Sequence, residues 1–161
     1  MRTRRRLLPL MPLLALTVAP AAMAALFGSL FAGTMPADLG VRDGRLKACP
    51  DKPNCVNSLA TDAGHAIGPL AFRGDAAAAM KALAAIVAAT PGATVVKAQD
   101  NYLQATFATP TMGFVDDVEF HADAARKVID VRSASRLGHS DLGANRKRVE
   151  ELRHAFATVN P

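Results

Sequence analysis

The sequence predicts an α+β domain in which an antiparallel sheet of about four strands, arranged as two consecutive hairpins, packs against two helices. Two observations carry this reading. Apolar and polar residues alternate along 94–98 and 102–109, and again along 114–121 and 128–134, with short turn-like joins inside each pair; this is the pattern of half-buried strands in hairpins. Outside this block, apolar residues recur at intervals of three and four, at Met80, Leu83, Ala84 and Val87 and at Leu142, Val149, Leu152, Phe156 and Val159. That spacing lines one face of a helix.

Taken in order, residues 1–6 carry four arginines and residues 7–37 carry no charge at all. Positive charge followed by an apolar run marks an export signal or a membrane anchor. Ala22-Met23-Ala24 offers a cleavage site, yet apolar character continues through Gly33. A run of about 20 apolar residues spans a bilayer, so an uncut anchor is favoured over a cleaved signal. Thr3-Arg-Arg-Arg-Leu-Leu8 also resembles a twin-arginine export signal. The expected organisation is a signal peptide or anchor at 1–33, a turn-rich linker at 34–46 and one domain at 47–161. The domain is expected outside the cytoplasm in the cell envelope, periplasmic or membrane-anchored, with the membrane as partner through the first segment.

The formal charge of +5 is carried by the leader. Without Arg2, Arg4, Arg5 and Arg6, fifteen basic residues face fourteen acidic ones, so no global charge argues for nucleic acid. The charge is segregated along the chain instead. No lysine or arginine lies between Lys97 and Arg126, whereas eight basic residues stand against four acidic ones from there to Arg153.

Cys49 and Cys55 are the only cysteines, with two prolines between them. In an exported chain they are expected to form a small-loop disulfide. A reactive Cys55 is the alternative. The four histidines are scattered and the cysteine spacing is not that of a zinc site, so no metal is expected. Residues 65–72, broken by Pro69, read as an edge strand at most. Asp75 opens the first helix as its N-cap, and Thr90-Pro91-Gly92 ends it. A two-residue turn at Asp100-Asn101 sets Ala98 opposite Leu103 and Val96 opposite Ala105.

The second hairpin concentrates the polar peculiarities. Centred on Ala124 and Ala125, it sets Phe120 opposite Ile129, Val118 opposite Val131, Asp117 opposite Arg132 and Asp116 opposite Ser133. Phe114, Val118, Phe120, Ile129 and Val131 then share the core face with Asp116, Ser133 and Ser135. Buried polar groups need partners, and Arg136 is the nearest candidate for Asp116. Asn145 falls on the apolar stripe of the second helix. Arg146, Lys147 and Arg148 stand near its N-terminus, where the macrodipole disfavours cations and an anion would be welcome. Pairing of these three with acidic neighbours is the plainer alternative.

Three segments resemble one family: Cys-Pro-Asp-Lys-Pro-Asn-Cys-Val at 49–56, Gly-Phe-Val-Asp-Asp-Val-Glu-Phe at 113–120, and Val-Arg-Ser-Ala-Ser-Arg-Leu-Gly-His-Ser-Asp-Leu-Gly-Ala-Asn-Arg-Lys-Arg-Val at 131–149. They are similar to the bacterial and plant family called domain of unknown function 1499. The resemblance covers 39–156 and implies an exported or membrane-linked protein. It brings no activity and no catalytic residue.

Three functions remain open. The first is a non-catalytic envelope module that binds a small anionic ligand or a protein partner through Asp116, Ser133, Ser135, Arg136, Asn145 and Arg146. The second is a hydrolase with Asp116 as acid or base and Arg136 with Arg146 stabilising an anion. The third is a purely structural envelope role. No nucleotide, serine-hydrolase or metalloprotease motif is present in the sequence, so no cofactor is expected.

Overall fold

The computed structural model describes residues 31–159. The leader expected at 1–33 falls almost wholly outside the described residues. Among the described residues, no helix is long and apolar enough to cross a membrane.

The domain is α+β, as expected, but its antiparallel sheet has six strands. In chain order the elements are β1 (Val41–Arg42), β2 (Arg45–Leu46), β3 (Cys55–Asn57), β4 (Leu70–Ala71), α1 (Ala76–Ala89), β5 (Ala93–Ala98), β6 (Tyr102–Ala108), β7 (Val115–Asp123), β8 (Val128–Ser135) and α2 (Ala144–Val159). The sheet runs β3-β8-β7-β6-β5, and β4 also pairs with β8. β3 takes the C-terminal half of the outer edge of β8 and β4 the N-terminal half. Between them Ser58 fills the gap: its N–H donates to Val131 O and its hydroxyl accepts from Val131 N. An edge that would otherwise invite pairing with another chain is thereby covered.

Both hairpins form, with two corrections of register. β5 and β6 pair Ala98 with Leu103 as expected, but Val95, and not Val96, meets Ala105. A bulge at Val96 pushes that side chain outward, where it is 46% exposed; bulges are tolerated on edge strands such as β5. In the central hairpin Phe120 meets Val131, Val118 meets Ser133, Asp116 meets Ser135, and Glu119 rather than Asp117 faces Arg132. The loop is longer than a centre at Ala124-Ala125 allows, because Asp123 Oδ1 accepts from the N–H groups of Ala125 and Arg126 and Lys127 turns at φ 55°. An aspartate that gathers the following amides is a turn initiator. The slip is two residues, so every side chain stays on its expected face.

One face of the sheet carries Leu103, Ala105 and Phe107, then Val118, Phe120 and Ala122, then Ile129 and Val131, all buried. Met80, Leu83 and Val87 of α1 and Val149, Leu152 and Phe156 of α2 pack on them. Asp75 caps α1 by accepting from Ala78 N. The expected stripe of α2 is shortened at both ends: Leu142 is 97% exposed and Val159 is 56% exposed.

The other face is covered too. Within 34–46, the stretch expected as linker, β1 and β2 pair as a hairpin. Gly40 N donates to Glu119 Oε1 and Asn57 Nδ2 donates to Lys47 O, which hold this arm against the sheet. Cys49 and Cys55 are joined, and Cys55 is already the first residue of β3.

Replacing both cysteines by serine is expected to cost about 2 kcal/mol in denaturant titrations, from the loop entropy of so small a ring. His65 gives a pH signature. Its ring Nε2 donates to Lys52 O at 3.0 Å and Nδ1 lies 2.8 Å from Asp62 Oδ1, and first the carbonyl, then the carboxylate, hold its pKa above the ordinary value. A raised histidine stabilises fully below its unfolded pKa and loses that contribution as pH rises through the folded one. The difference in unfolding free energy between parent and His65→Gln should therefore shrink from pH 5.5 to 8.

Candidate functional site

The polar residues of the central hairpin divide between the two faces of the sheet. On the helix-covered face, Asp116, Ser133 and Ser135 meet the start of α2. Arg148, not Arg136, is the partner of Asp116: Nη2 donates to Oδ2 at 2.5 Å, and the guanidinium lies over the Phe107 ring at 4.8 Å. Arg148 Nη1 also donates to Asn145 Oδ1 at 2.8 Å and Ser133 Oγ at 3.2 Å. Asn145, fully buried, is the hub. Its Oδ1 accepts from Ser133 Oγ, and its Nδ2 lies within bonding distance of Ser135 Oγ, Asp141 Oδ2 and Asn54 O. Asp141 also accepts from the N–H groups of Gly143 and Asn145, which caps α2. A cavity of about 220 Å³ opens beside this cluster, lined by Asp116, Ser135 and Asp141 with Phe114, Leu137 and Leu142.

Arg136 is on the opposite face. Nε and Nη2 form a fork on Asp117, at 2.8 and 2.7 Å, and this contact raises its pKa. Next to it stands Arg132, 4% exposed. Among the described residues its one hydrogen-bond acceptor is Glu119 Oε2, at 3.5 Å, and its Nε is buried without a partner. Burial lowers the pKa of Arg132, with Glu119 and then Asp117 opposing. Glu119 is better served by others, since Tyr102 OH donates to Oε1 at 2.9 Å and Gly40 N at 2.7 Å. Burial, then the charge of Glu119, push Tyr102 far above the usual tyrosine range, so it remains a donor. Arg132, Arg136, Asp117 and Lys47 line a cleft of about 390 Å³ whose other wall is Pro36, Cys49 and Pro50.

Arg146 joins neither cluster. Its two terminal nitrogens donate to the carbonyls of Ala66 and Gly64, at 2.7 and 3.0 Å. Two turns along, Arg153 reaches the carbonyls of Pro69 and Gly68. The pair latches α2 to the segment that leads into β4. Of the basic triplet, Lys147 pairs only loosely with Glu151, at 3.8 Å.

Of the residues the sequence singles out, the structure brings Asp116, Ser133, Ser135 and Asn145 together and sets Arg136 on the opposite face and Arg146 against the 64–66 carbonyls. The sequence reading misses Arg148, Asp141 and Asn54. A signal for Arg148 was present, because it follows Asn145 by three residues and so shares its face. For Arg132, Glu119 and Tyr102 the signal was weak, since charged alternation in an antiparallel strand normally means a solvated face.

Breaking the Asp116–Arg148 pair should strand a buried charge. Asp116→Asn and Arg148→Met are each expected to lose about 3 kcal/mol in urea titration, the low end for a buried pair because Arg148 keeps a partly exposed edge. Arg146→Gln should lose about 1 kcal/mol, as hydrogen bonds to carbonyls would.

No curated protein and no solved structure matches this chain. A family model described as Protein of unknown function (DUF1499) matches residues 45–156, which takes in every strand of the six-stranded sheet and most of α2, the three sequence segments that meet around Asn145, and all of the cleft lining except Pro36. The chain belongs to that family.

Proposed function

We propose that this is an exported or membrane-anchored envelope protein whose domain is a non-catalytic binding module for a small anionic ligand, taken up in the cleft of Arg132, Arg136 and Lys47. The observation that carries this reading is Arg132. A guanidinium offers five N–H donors in a planar fork, yet this one is buried with Nε unpartnered and only a long contact to Glu119. Leaving buried donors unmade is costly. A carboxylate or phosphate oxygen on the cleft side of the guanidinium would supply the close charge-assisted partner that Glu119 supplies only at long range. Three cationic groups and one carboxylate line the cleft, and its size suits a small metabolite.

The geometry favours this over a hydrolase built on Asp116 with Arg136 and Arg146. Such a mechanism needs the three groups around one reacting atom. Asp116 is instead committed to Arg148, Arg136 to Asp117 across the sheet, and Arg146 to backbone carbonyls. The Asn145 cluster, in which nearly every group has a partner, supports a structural clasp there. A structural role for the whole domain would leave the Arg132 cleft unexplained.

The test is a melting-temperature titration with inorganic phosphate, sulfate, citrate and succinate at constant ionic strength, with chloride as reference. A bound anion stabilises by mass action, about 2.7 kcal/mol at a hundredfold excess over Kd. At least one of these anions should raise the midpoint saturably. Arg132→Met combined with Glu119→Gln removes both charges of the weak pair, keeps the acceptor for Tyr102 and Gly40, and should fold but lose the response. Lys47→Ala, at an exposed position, should weaken it. No saturable rise with any of the four, or an unchanged response in the double variant, would overturn the proposal.

A further inference from the structure

We propose that the domain docks its own apolar end onto a lipid bilayer through Met112, Leu137 and Leu142, so that the sheet stands with its 109–114 and 136–143 loops at the membrane surface. Six large apolar side chains are substantially exposed among the described residues: Phe31, Val96, Met112, Leu137, Leu142 and Val159. Four of them gather at one end. Phe31 packs on Phe114 with ring centroids 5.1 Å apart, Leu137 and Leu142 line the cavity that Phe114 also lines, and Met112 sits in the turn just before Phe114.

Leu142 is the strongest of these. It is 97% exposed and its backbone is left-handed, at φ 54°. That conformation disfavours a residue with a Cβ, and here it holds the leucine out into solvent. The charges at the same end are engaged within the fold: Asp116 with Arg148, Asp117 with Arg136, and Asp141 with the amides of Gly143 and Asn145. Protruding apolar groups beside hydrogen-bonded polar ones suit a surface whose leucines enter the headgroup boundary.

The occupant follows from where the chain goes. Gly33 passes so close that a Cβ there would lie 2.9 Å from Arg136 Cβ and 3.0 Å from Leu137 Cγ. The path toward residue 30 therefore leaves the domain from this end. What precedes Phe31 is the uncharged apolar run that begins at Leu7, long enough for a bilayer. A second copy or a soluble partner could cover leucines anywhere on the molecule; a bilayer accounts for their clustering at the point where that run meets the fold.

The inference rests on the membrane-anchored reading, and the experiment separates the two. The full chain is placed in phosphatidylethanolamine–phosphatidylglycerol vesicles, with an environment-sensitive fluorophore on a single added thiol, the native pair being joined. Reporters at Leu142→Cys and Leu137→Cys are compared with Ala125→Cys in the β7–β8 loop, roughly 25 Å away along the nine-residue β7 at the usual rise of a strand. Quenching by lipid carrying a nitroxide on the acyl chain should be about threefold or more stronger at Leu142 and Leu137 than at Ala125. Because a reporter is itself apolar, it is also placed at Met112→Cys, where adding Leu142→Asp should reduce the quenching. Equal quenching at the two ends with the chain still held by the vesicles overturns docking and leaves anchoring intact. A reporter shifted to the blue at Leu142 but not quenched by lipid assigns the surface to protein and overturns it as well. Failure of the full chain to associate with vesicles overturns both.

Discussion

A carboxylate with no access to water, Glu119, sets the terms for the rest of this fold. It sits in the middle of the sheet on the face away from the helices and is 0% exposed. An unsatisfied charge there would be prohibitive. Its partners come from three different places: Tyr102 on β6, Arg132 on β8 and the amide of Gly40, 79 residues earlier in the chain. The last of these matters most for architecture. An arm of turn composition is pinned to the sheet because it supplies an N–H that nothing else provides, and once pinned it buries Asp117 and Arg132 as well. Asp117 must then find a cation, and Arg136 answers it. The cleft is what remains between the arm, the disulfide loop and these committed side chains.

The two polar clusters differ in how completely they are satisfied, and that difference separates clasp from site. On the helix side, Asn145 uses both ends of its amide, and its partners come from two of the three segments that carry the family resemblance, while Asp116 of the third reaches it through Arg148. Asn54 from the disulfide loop, Ser133 and Ser135 from β8, and Asp141 from the approach to α2 meet at this one side chain. A saturated network of this kind fixes one arrangement of strand, loop and helix. It offers a ligand few free donors. Behind the sheet, Arg132 has more donors than acceptors among the described residues, and the proposed anion site rests on that shortfall.

How much of this could be read in the sequence depended on the range of the interactions. Both helices, the cap at Asp75, the disulfide and the two hairpins were legible, because each rests on periodicity or on residues close in sequence. The face of every residue in the central hairpin was legible too, though its register was not. Parity survives a slip of two, whereas the register hung on Asp123 collecting the amides of Ala125 and Arg126. β3 was not legible as a strand, and β4 only as the edge strand that 65–72 allowed at most: they are two or three residues long and exist only through pairing with β8, more than fifty residues away. The site suffered for the same reason. Asp116 was placed with Arg136 because Arg136 is nearest along β8, but strand alternation sends consecutive side chains near a sheet's end to opposite faces, and the cation came from α2 instead.

Local rules of folding are broken at few places here, and comparing them indicates which breaks are informative. Asp43 and Lys127 are left-handed without being glycine, but both lie in hairpin turns that need such a residue. Asn54 Oδ1 and His121 Nδ1 are buried without partners among the described residues, yet the Asn54 oxygen is an acceptor, the less demanding kind of orphan, its amide nitrogen is bonded, and the role of the His121 nitrogen depends on the tautomer of the ring. Leu142 and Arg132 have no such excuse. One is an apolar side chain held out in water by a disfavoured backbone; the other is a permanently charged donor held away from water without enough acceptors. Each costs on the order of 1–3 kcal/mol, which packing elsewhere must offset. Sequences that are otherwise consistent from cap to core tend to depart from consistency where something outside the fold completes the interaction. The two departures differ in kind, an exposed apolar side chain and a buried charged donor, so a single missing partner of one chemistry would not satisfy both, and the proposed bilayer contact and the proposed anion site are accordingly separate.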